Sequence, residues 1–195
     1  MNAINSEAAV FFRFLGTLLQ NEPSSTSMDT LKREGLFEAL PYAQTHELVQ
    51  KGQLEISQWL NSDADHVMDA RCDYMRLFAG IGNSAVRPWG SFYMSNERLS
   101  FQAQTLKIRE VYKRHGLELV LKNQEPDDHI GYELEFLAYL TEQDKMAEAL
   151  DFINVYMNPW LFKWLASVEK YSSTGYYQGL AKIVAGGVEY FQNDY

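Results

Sequence analysis

Apolar side chains recur every three or four residues along most of this chain, which is the spacing of one face of an α-helix. In the N-terminal segment these positions are Ile4, Ala8, Phe11, Leu15 and Leu18. Comparable stripes, bounded by turn residues, predict further helices over residues 28–34, 44–61, 63–79, 97–115, 126–143, 145–157, 160–168 and 174–192. The pattern therefore predicts an all-α fold, a single-domain helical bundle that spans residues 1–195.

The long irregular segment in this pattern is residues 80–95, which separates two predicted helices. It contains three large aromatic side chains, Trp89, Phe92 and Tyr93. Such rings either fill the protein core or form a binding surface, because loops on a rigid scaffold often carry function. The sequence leaves both alternatives open.

A dense group of polar residues, Glu125-Pro126-Asp127-Asp128-His129, opens the predicted helix over residues 126–143. The whole chain has only four histidines and five prolines, so this concentration requires an explanation. Proline favours the first helical position, and acids in a first turn stabilise it by about 0.3–1 kcal/mol each. The group is compatible with a helix start, an acid–base or metal site, or a recognition surface.

The helix geometry disfavours a catalytic pair at this position. If the helix starts at Pro126, successive side chains lie about 100° apart, so Asp127 and His129 point about 160° apart. They would then not share one proton or one metal ion. His129 and Glu133 are i, i+4 neighbours and can pair. The helix start and the recognition surface remain the favoured interpretations.

Composition narrows the classes of function. The chain has 17 basic and 26 acidic residues and a formal net charge of −9. Nucleic-acid binding is disfavoured, because its affinity comes largely from Lys and Arg on phosphates. The one cysteine, Cys72, allows no intrachain disulfide, which suits a reducing compartment, and its helical context predicts a buried structural thiol.

No export signal or membrane span is expected. The apolar stretch Ala8–Leu15 is interrupted by Arg13, follows no basic residue and precedes no small-residue cleavage pattern. No other stretch approaches the ~18 apolar residues that a spanning helix needs. The sequence therefore predicts a cytoplasmic protein without stable membrane insertion.

Common catalytic and cofactor motifs do not occur. The chain has no Gly-x-x-x-x-Gly-Lys or Gly-x-Gly-x-x-Gly phosphate loop, no Gly-x-Ser-x-Gly elbow, and no His-Glu-x-x-His or Cys-x-x-Cys spacing. Carboxylates can bind arginine in a bidentate manner, and an aromatic groove can take an apolar peptide. The residues by themselves thus predict an all-α protein with a peptide-binding face.

Three motifs of the chain carry a family resemblance. The first motif is Glu125-Pro126-Asp127-Asp128-His129-Ile130, followed by Glu133-Leu134-Glu135-Phe136-Leu137. The second is Tyr74-x-x-Leu77-Phe78-x-Gly80, followed by Pro88-Trp89-Gly90-Ser91-Phe92-Tyr93. The third is Asn158-Pro159-Trp160. Together they resemble the TorD/DmsD chaperones, the cytoplasmic redox-enzyme maturation proteins of bacteria, and the likeness runs from about Phe11 to Trp164 with matching order and spacing.

The resemblance implies a helical chaperone rather than an enzyme, either a monomer or a homodimer that can be domain-swapped. Its expected partner is the twin-arginine signal peptide of a molybdenum-cofactor enzyme precursor. Such clients are reductases for trimethylamine N-oxide or dimethyl sulfoxide, whose export waits until the cofactor is inserted. No cofactor of the chaperone itself is expected, although weak guanine-nucleotide binding is associated with the family.

The resemblance also implies that residues of the first two motifs bind the peptide. These are Leu77, Phe78, Pro88, Trp89, Gly90, Ser91, Tyr93, Glu125, Pro126, Asp127, Asp128 and His129. Asp127 and Asp128 would attract the arginine pair, and His129 would orient the loop or titrate near neutrality. Two alternatives stay open: a metal-assisted hydrolase that uses Asp127, Asp128 and His129, and a partner subunit of a mature oxidoreductase.

One position departs from the family pattern. Arg87 stands where members often have a proline before Pro88-Trp89. A basic side chain there would oppose an arginine-rich ligand if it pointed inward, or it would pair with Asp127 or Asp128. Either arrangement would change the pocket.

Overall fold

A computed structural model describes residues 3–79, 86–95, 103–119 and 125–194. The all-α prediction is confirmed, since these residues form helices and no strand. The α-helices are α1 (Ala3–Gln20), α2 (Ser25–Arg33), α3 (Glu47–Leu60), α4 (His66–Leu77), α5 (Gly90–Met94), α6 (Ala103–Arg114), α7 (Ile130–Glu142), α8 (Met146–Phe152), α9 (Leu161–Tyr171) and α10 (Gly175–Asp194). One turn of π-helix, Ile153–Met157, continues directly from α8.

The predicted helices are present with shifted ends. Helix α4 begins at His66 because Asp65 caps it, with its carboxylate accepting a hydrogen bond from Met68 N at 3.1 Å. The segment over residues 80–95 is not wholly irregular, because it contains α5. The first residues of the helix predicted over 97–115 lie outside the described residues, which resume at Ala103.

Contacts between Cα atoms divide the chain into two compact units. Unit 1 comprises Met1–Gln20 and Pro88–Lys163, and unit 2 comprises Asn21–Arg87 and Trp164–Tyr195. The single domain expected from the sequence stays a prediction.

Unit 1 is built around the pairing of α1 with α7. The two backbones approach closely, since a Cβ added to Gly16 would lie 2.8 Å from the carbonyl oxygen of Gly131. On α6, α7 and α8 three rings form a cluster, with centroid distances of 4.8 Å for Tyr112–Phe136 and 4.9 Å for Phe136–Phe152. Tilted and edge-on ring pairs of this kind stabilise a core beyond their buried area. Helix α7 is therefore held in place by both α1 and the ring cluster.

Unit 2 is built around the pairing of α3 with α10. A Cβ added to Gly52 would lie 2.4 Å from the carbonyl oxygen of Gly179, and the reverse approach would be 2.5 Å. No larger residue fits at this crossing unless the helices separate. Lys182 is buried on α10 with its charge paired to Glu55 at 2.7 Å and Glu169 at 3.1 Å. A buried charge is tolerated only when it is paired in this way.

A buried carboxylate, Asp73, ties α4 to the segment before α10 in unit 2. It accepts hydrogen bonds from the hydroxyls of Ser172 and Thr174, both at 2.7 Å, and from Thr174 N at 2.9 Å. Arg76 pairs with the same carboxylate. Burial by itself would raise the pKa of Asp73, but the hydrogen bonds outweigh burial and lower the pKa. Asp73 thus holds the backbone N–H groups of Ser173 and Thr174, just before α10, from a different helix.

Cys72 is exposed, so the prediction of a buried thiol is wrong. The buried positions of α4 are Ala70, Asp73 and Leu77, spaced by three and four residues. Cys72 therefore falls on the solvent side of the helix.

Candidate functional site

Two of the motif segments lie side by side in unit 1: the aromatic segment (residues 88–95) and the acidic turn (residues 125–129). Trp89 and His129 form an isolated antiparallel bridge. Gly90 N donates to Asp128 O at 3.0 Å, and Ile130 N donates to Pro88 O at 2.8 Å. The bridge satisfies backbone groups that would otherwise be buried without partners. It also brings Pro88–Ser91 next to the acidic turn.

Asp128 fastens the acidic turn to two helices. Its carboxylate is fully buried and accepts hydrogen bonds from Ser91 N at 2.5 Å and from the hydroxyl of Thr105 at 2.6 Å. Ser91 lies on α5 and Thr105 on α6, so one side chain joins three segments. In this arrangement Asp128 supports the site from inside.

Asp127 is also engaged within the chain. Arg109 of α6 donates Nη2 to Asp127 Oδ2 at 2.6 Å, and its Nε lies 3.1 Å from both carboxylate oxygens. The hydroxyl of Tyr112 donates to the backbone oxygen of Asp127 at 3.2 Å. An incoming arginine would have to displace Arg109 to reach this carboxylate. Arg109 and Thr105 are site residues that the sequence analysis did not single out.

Helix α7 begins at Ile130 and not at Pro126 as predicted. Residues 127–128 form a turn and His129 is extended, so the helical angle calculated between Asp127 and His129 does not apply. His129 is the N-cap instead, and its Nδ1 accepts a hydrogen bond from Gly131 N at 3.0 Å. Burial lowers the pKa of His129 to about 3, so the titration predicted near neutrality is wrong.

Glu133, in the first turn of α7, is fully buried. Neither of its carboxyl oxygens has a hydrogen-bond partner among the described residues. Burial raises the pKa of Glu133 well above its usual value, and the nearby charge of Asp128 adds to the increase. Because neither carboxyl oxygen of Glu133 has a partner among the described residues, the pairing of His129 with Glu133 that the sequence allowed is not formed.

The rings of the aromatic segment are half-buried. The sequence left open whether they fill the core or form a binding surface, and they are placed between these two alternatives. Trp89 Nε1 donates to the Glu125 carboxylate at 3.4 Å. Burial raises the pKa of Glu125, while the contact with Trp89 opposes the increase. Tyr93 lies nearly parallel to Trp160, with a centroid distance of 5.8 Å and an angle of 13°. These residues form a surface of partly exposed rings beside one carboxylate.

Trp160 is a buried part of this site that the sequence analysis noted only as a motif residue. The π-helix before it is closed by a hydrogen bond from Asn158 N to Ile153 O at 2.9 Å. Pro159 follows and has no N–H to continue a helical ladder. A π-turn adds a residue to the helix and changes the direction of the side chains that follow it. Here the chain then places the Trp160 indole against Gly90.

Replacing Gly90 with alanine is expected to destabilise the protein by about 1–3 kcal/mol, the usual cost of overpacking. A Cβ at this position would lie 2.6 Å from Trp160 Nε1 and 2.9 Å from its Cε2. Chemical denaturation measures the change. In a Trp160→Ala background the same substitution should cost less, because the indole atoms that a new Cβ would meet are absent. An equal cost in both backgrounds would show that this contact is not its cause.

Two of the predicted site residues, Leu77 and Phe78, belong to unit 2 and are buried there. The ring of Phe78 lies 5.4 Å from Tyr74 and 5.2 Å from Tyr177, measured between centroids. Arg87 is also assigned to unit 2. The roles of Leu77 and Phe78 in peptide binding, and the effect of Arg87 on the pocket, stay predictions.

The geometry gives Asp127, Asp128 and His129 of the acidic turn separate partners. Asp127 pairs with Arg109, Asp128 with Ser91 and Thr105, and His129 with Gly131 N. No group of three or more His, Cys, Asp or Glu side chains that could hold a metal ion is found in the described part of the chain. Within the same residues, every helix is too short or too polar to cross a membrane.

Comparisons with known proteins agree with this architecture. The model of a family described as nitrate reductase delta subunit matches residues 43–166. The chain is 24% identical to the probable Tat proofreading chaperone DmsD of Haemophilus influenzae, over 96% of this chain and 91% of that protein. It is 25% identical to the chaperone protein TorD of Shewanella sp. strain ANA-3, over 95% and 92%. It is 28% identical to the Tat proofreading chaperone DmsD of Salmonella typhimurium, over 56% and 54%.

The fold also has a solved counterpart. A crystal structure of a candidate redox enzyme maturation protein from Archaeoglobus fulgidus superimposes with a TM-score of 0.52 at 21% identity, over 100% of this chain and 94% of that chain. The family model and the named relatives define the class of this chain, which is a redox-enzyme maturation chaperone. The chain belongs to the TorD/DmsD family, whose members are chaperones of molybdoenzyme maturation rather than catalysts.

Proposed function

We propose that this chaperone binds the twin-arginine signal peptide of a molybdenum-cofactor reductase precursor in the cytoplasm, before export. Two relatives are named Tat proofreading chaperones, which supports the proposal. The observation that carries it is the bridge between Trp89 and His129, because it assembles half-buried rings and a carboxylate on one surface. A reductase for trimethylamine N-oxide or dimethyl sulfoxide is the proposed client.

The surface suits a leader peptide because it offers both kinds of contact that such a peptide needs. Trp89, Phe92 and Tyr93 expose part of their rings, which can cover an apolar segment. Glu125 is half-buried next to Trp89 and can accept a hydrogen bond from an arginine. Met94, which is 41% exposed, extends the apolar surface at the end of α5.

The remaining predicted residues of unit 1 would shape this surface. Pro88 and Gly90 hold the backbone of the aromatic segment, and Asp128 fixes its Ser91 N–H. Direct contact between Asp127 and the arginine pair requires Arg109 to leave this carboxylate. We propose no resident cofactor, and we treat weak guanine-nucleotide binding and a domain-swapped dimer as further properties to be measured.

Replacing Trp89 with alanine is expected to weaken binding of a twin-arginine leader peptide roughly tenfold or more, as for a partly buried aromatic anchor. Isothermal titration calorimetry with a synthetic leader measures the change. Tyr171→Ala removes another exposed ring, located in unit 2, and should leave the affinity unchanged. Equal affinities of wild type and Trp89→Ala would remove the aromatic segment from the site.

The same calorimetry distinguishes the alternatives. A chaperone of the precursor binds the leader and loses affinity when both arginines become lysines, because ammonium groups lack the bidentate fork of guanidinium. A subunit of the mature oxidoreductase would bind the mature enzyme instead of the leader. Binding of the mature enzyme alone would overturn the proposed function.

A further inference from the structure

A separate cavity of about 250 Å³ opens in unit 1 beside α7. Its walls include the rings of Tyr132, Phe136 and Tyr139, and its polar side chains are Arg13, Glu118 and Glu135. Pockets for drug-sized ligands usually exceed about 300 Å³, so this cavity is suited to a single side chain.

The cavity carries net negative charge. Arg13 on α1 directs its guanidinium at Glu142, with Nη2 donating to Oε2 at 2.9 Å and Nη1 donating to Oε1. Its positive charge is therefore matched by a carboxylate outside the cavity lining. Glu135 is exposed and forms no close ion pair with another described residue, although its charge is one of those that raise the pKa of Arg13. An added cation would find in Glu135 a carboxylate at the edge of the cavity.

The aromatic walls favour a planar cation. Tyr132 and Tyr139 line the cavity and are half-buried, whereas Phe136 is buried and stacks on Tyr139 with a centroid distance of 6.1 Å and an angle of 16°. Cations are attracted to ring faces, and a guanidinium can stack on them while forming a forked contact with a carboxylate. An ammonium group can provide the charge but neither the stacking nor the fork.

The cavity lies next to the acidic turn. Tyr132 lines the cavity, and its ring is 5.1 Å from the ring of His129, measured between centroids. Within the turn, Asp127 is already paired with Arg109 and Asp128 is fully buried. Glu135 is thus a carboxylate that an arginine next to the turn can reach without breaking these contacts.

We propose that this cavity receives one arginine side chain of the bound peptide, stacked against Tyr132 and Tyr139 and paired with Glu135. The inference rests on the proposed function, because it assigns one arginine of the twin-arginine leader to a pocket. It places one arginine contact at α7, in addition to the contact proposed for Glu125 beside the aromatic segment.

The test uses the full chain, two ligands and a pair of matched variants. The ligands are a synthetic twin-arginine leader and the dipeptide acetyl-arginyl-arginine amide. Glu135→Gln removes the carboxylate of the cavity, and Glu110→Gln removes another exposed carboxylate of unit 1 as a control. We expect Glu135→Gln to weaken both ligands roughly tenfold or more, which is typical for a charge-assisted hydrogen bond, and Glu110→Gln to have no effect. Replacing arginine by neutral citrulline in the dipeptide should abolish binding.

Calorimetry follows the leader, and NMR titration of the Tyr132 and Tyr139 signals follows the weaker dipeptide. If the leader binds wild type and Glu135→Gln equally, the arginine pocket is overturned while the proposed function stands. If the leader fails to bind wild type, the proposed function fails, and the dipeptide then tests the cavity by itself. Arginine-specific shifts that Glu135→Gln removes would still support the pocket. Equal shifts with the citrulline dipeptide, or no shifts, would overturn it.

Discussion

Replacing Asp73 with alanine is expected to lower the free energy of unfolding by about 3–5 kcal/mol, the typical cost of removing one partner from a buried charged network. The hydroxyls of Ser172 and Thr174 and the N–H of Thr174 all donate to this carboxylate. Alanine would leave these donors without that acceptor inside unit 2 and would remove the connection between α4 and α10. Chemical denaturation followed by circular dichroism measures the loss.

Asp69→Ala is the matched control, because Asp69 is an exposed acid on the same helix. Its position in the first turn of α4 predicts a change below about 1 kcal/mol. The folded-state pKa of Asp73 is lowered, so its contribution is present above the unfolded value of about 3.9 and is lost as the pH falls through the folded value. The difference between wild type and Asp73→Ala should therefore shrink in acid. Similar losses in both variants would contradict the structural role of Asp73.

Long periodic helices could be predicted from the sequence because their signal is local. Helix α1 shows its apolar stripe over 18 residues, and Phe11 and Leu15 are buried as the stripe requires. The ends of helices were less accurate, since an end depends on one capping contact such as that of Asp65 with Met68 N. The exposure of Cys72 could have been inferred locally, because Asp73 and Leu77 mark the buried face of α4.

The acidic turn shows why part of the site could not be predicted. The residues and their resemblance to a family predicted that the acidic turn belongs to a motif and acts together with the aromatic segment. The proline and the acids favoured a helix from Pro126, but backbone hydrogen bonds with Pro88 and Gly90 hold the segment in a turn before the helix begins at Ile130. These partners lie about forty residues earlier in the chain, beyond the reach of any local pattern.

The partners of the site carboxylates were missed for the same reason. Arg109 and Thr105 lie on α6, 18 and 23 residues from the acids that they contact. An acid in a motif suggests a charge that is available to a ligand, whereas the fold uses Asp127 and Asp128 to hold its own segments together. Sequence could therefore name candidate residues for the site but not show which of them hold segments of the fold together.

Replacing His129 with asparagine is expected to remove much of the loss of stability that wild type suffers in acid. The folded-state pKa of His129 is lowered from 6.5 to about 3 by burial. Its contribution to stability is therefore complete above pH ~6.5 and is lost as the pH falls towards about 3, at about 1.4 kcal/mol per pH unit. At pH 4.5 the loss from this group reaches roughly 2–3 kcal/mol, and at pH 3 roughly 4–5 kcal/mol.

Asparagine is the suitable replacement because it is a strong N-cap and can accept the hydrogen bond of Gly131 N without titrating. It would lose the ring contact with Tyr132, which costs a similar amount at every pH. The raised pKa of Glu133 acts in the opposite direction, lowering stability as the pH rises above about 4.5, but it is present in both proteins and cancels in the difference. Denaturation curves recorded at intervals of about one pH unit from pH 4 to pH 8 measure the difference in stability between the two proteins. Parallel stability curves for the two proteins would show that His129 is not the neutral buried cap inferred from the structure, whereas curves that converge or cross as the pH falls would establish it.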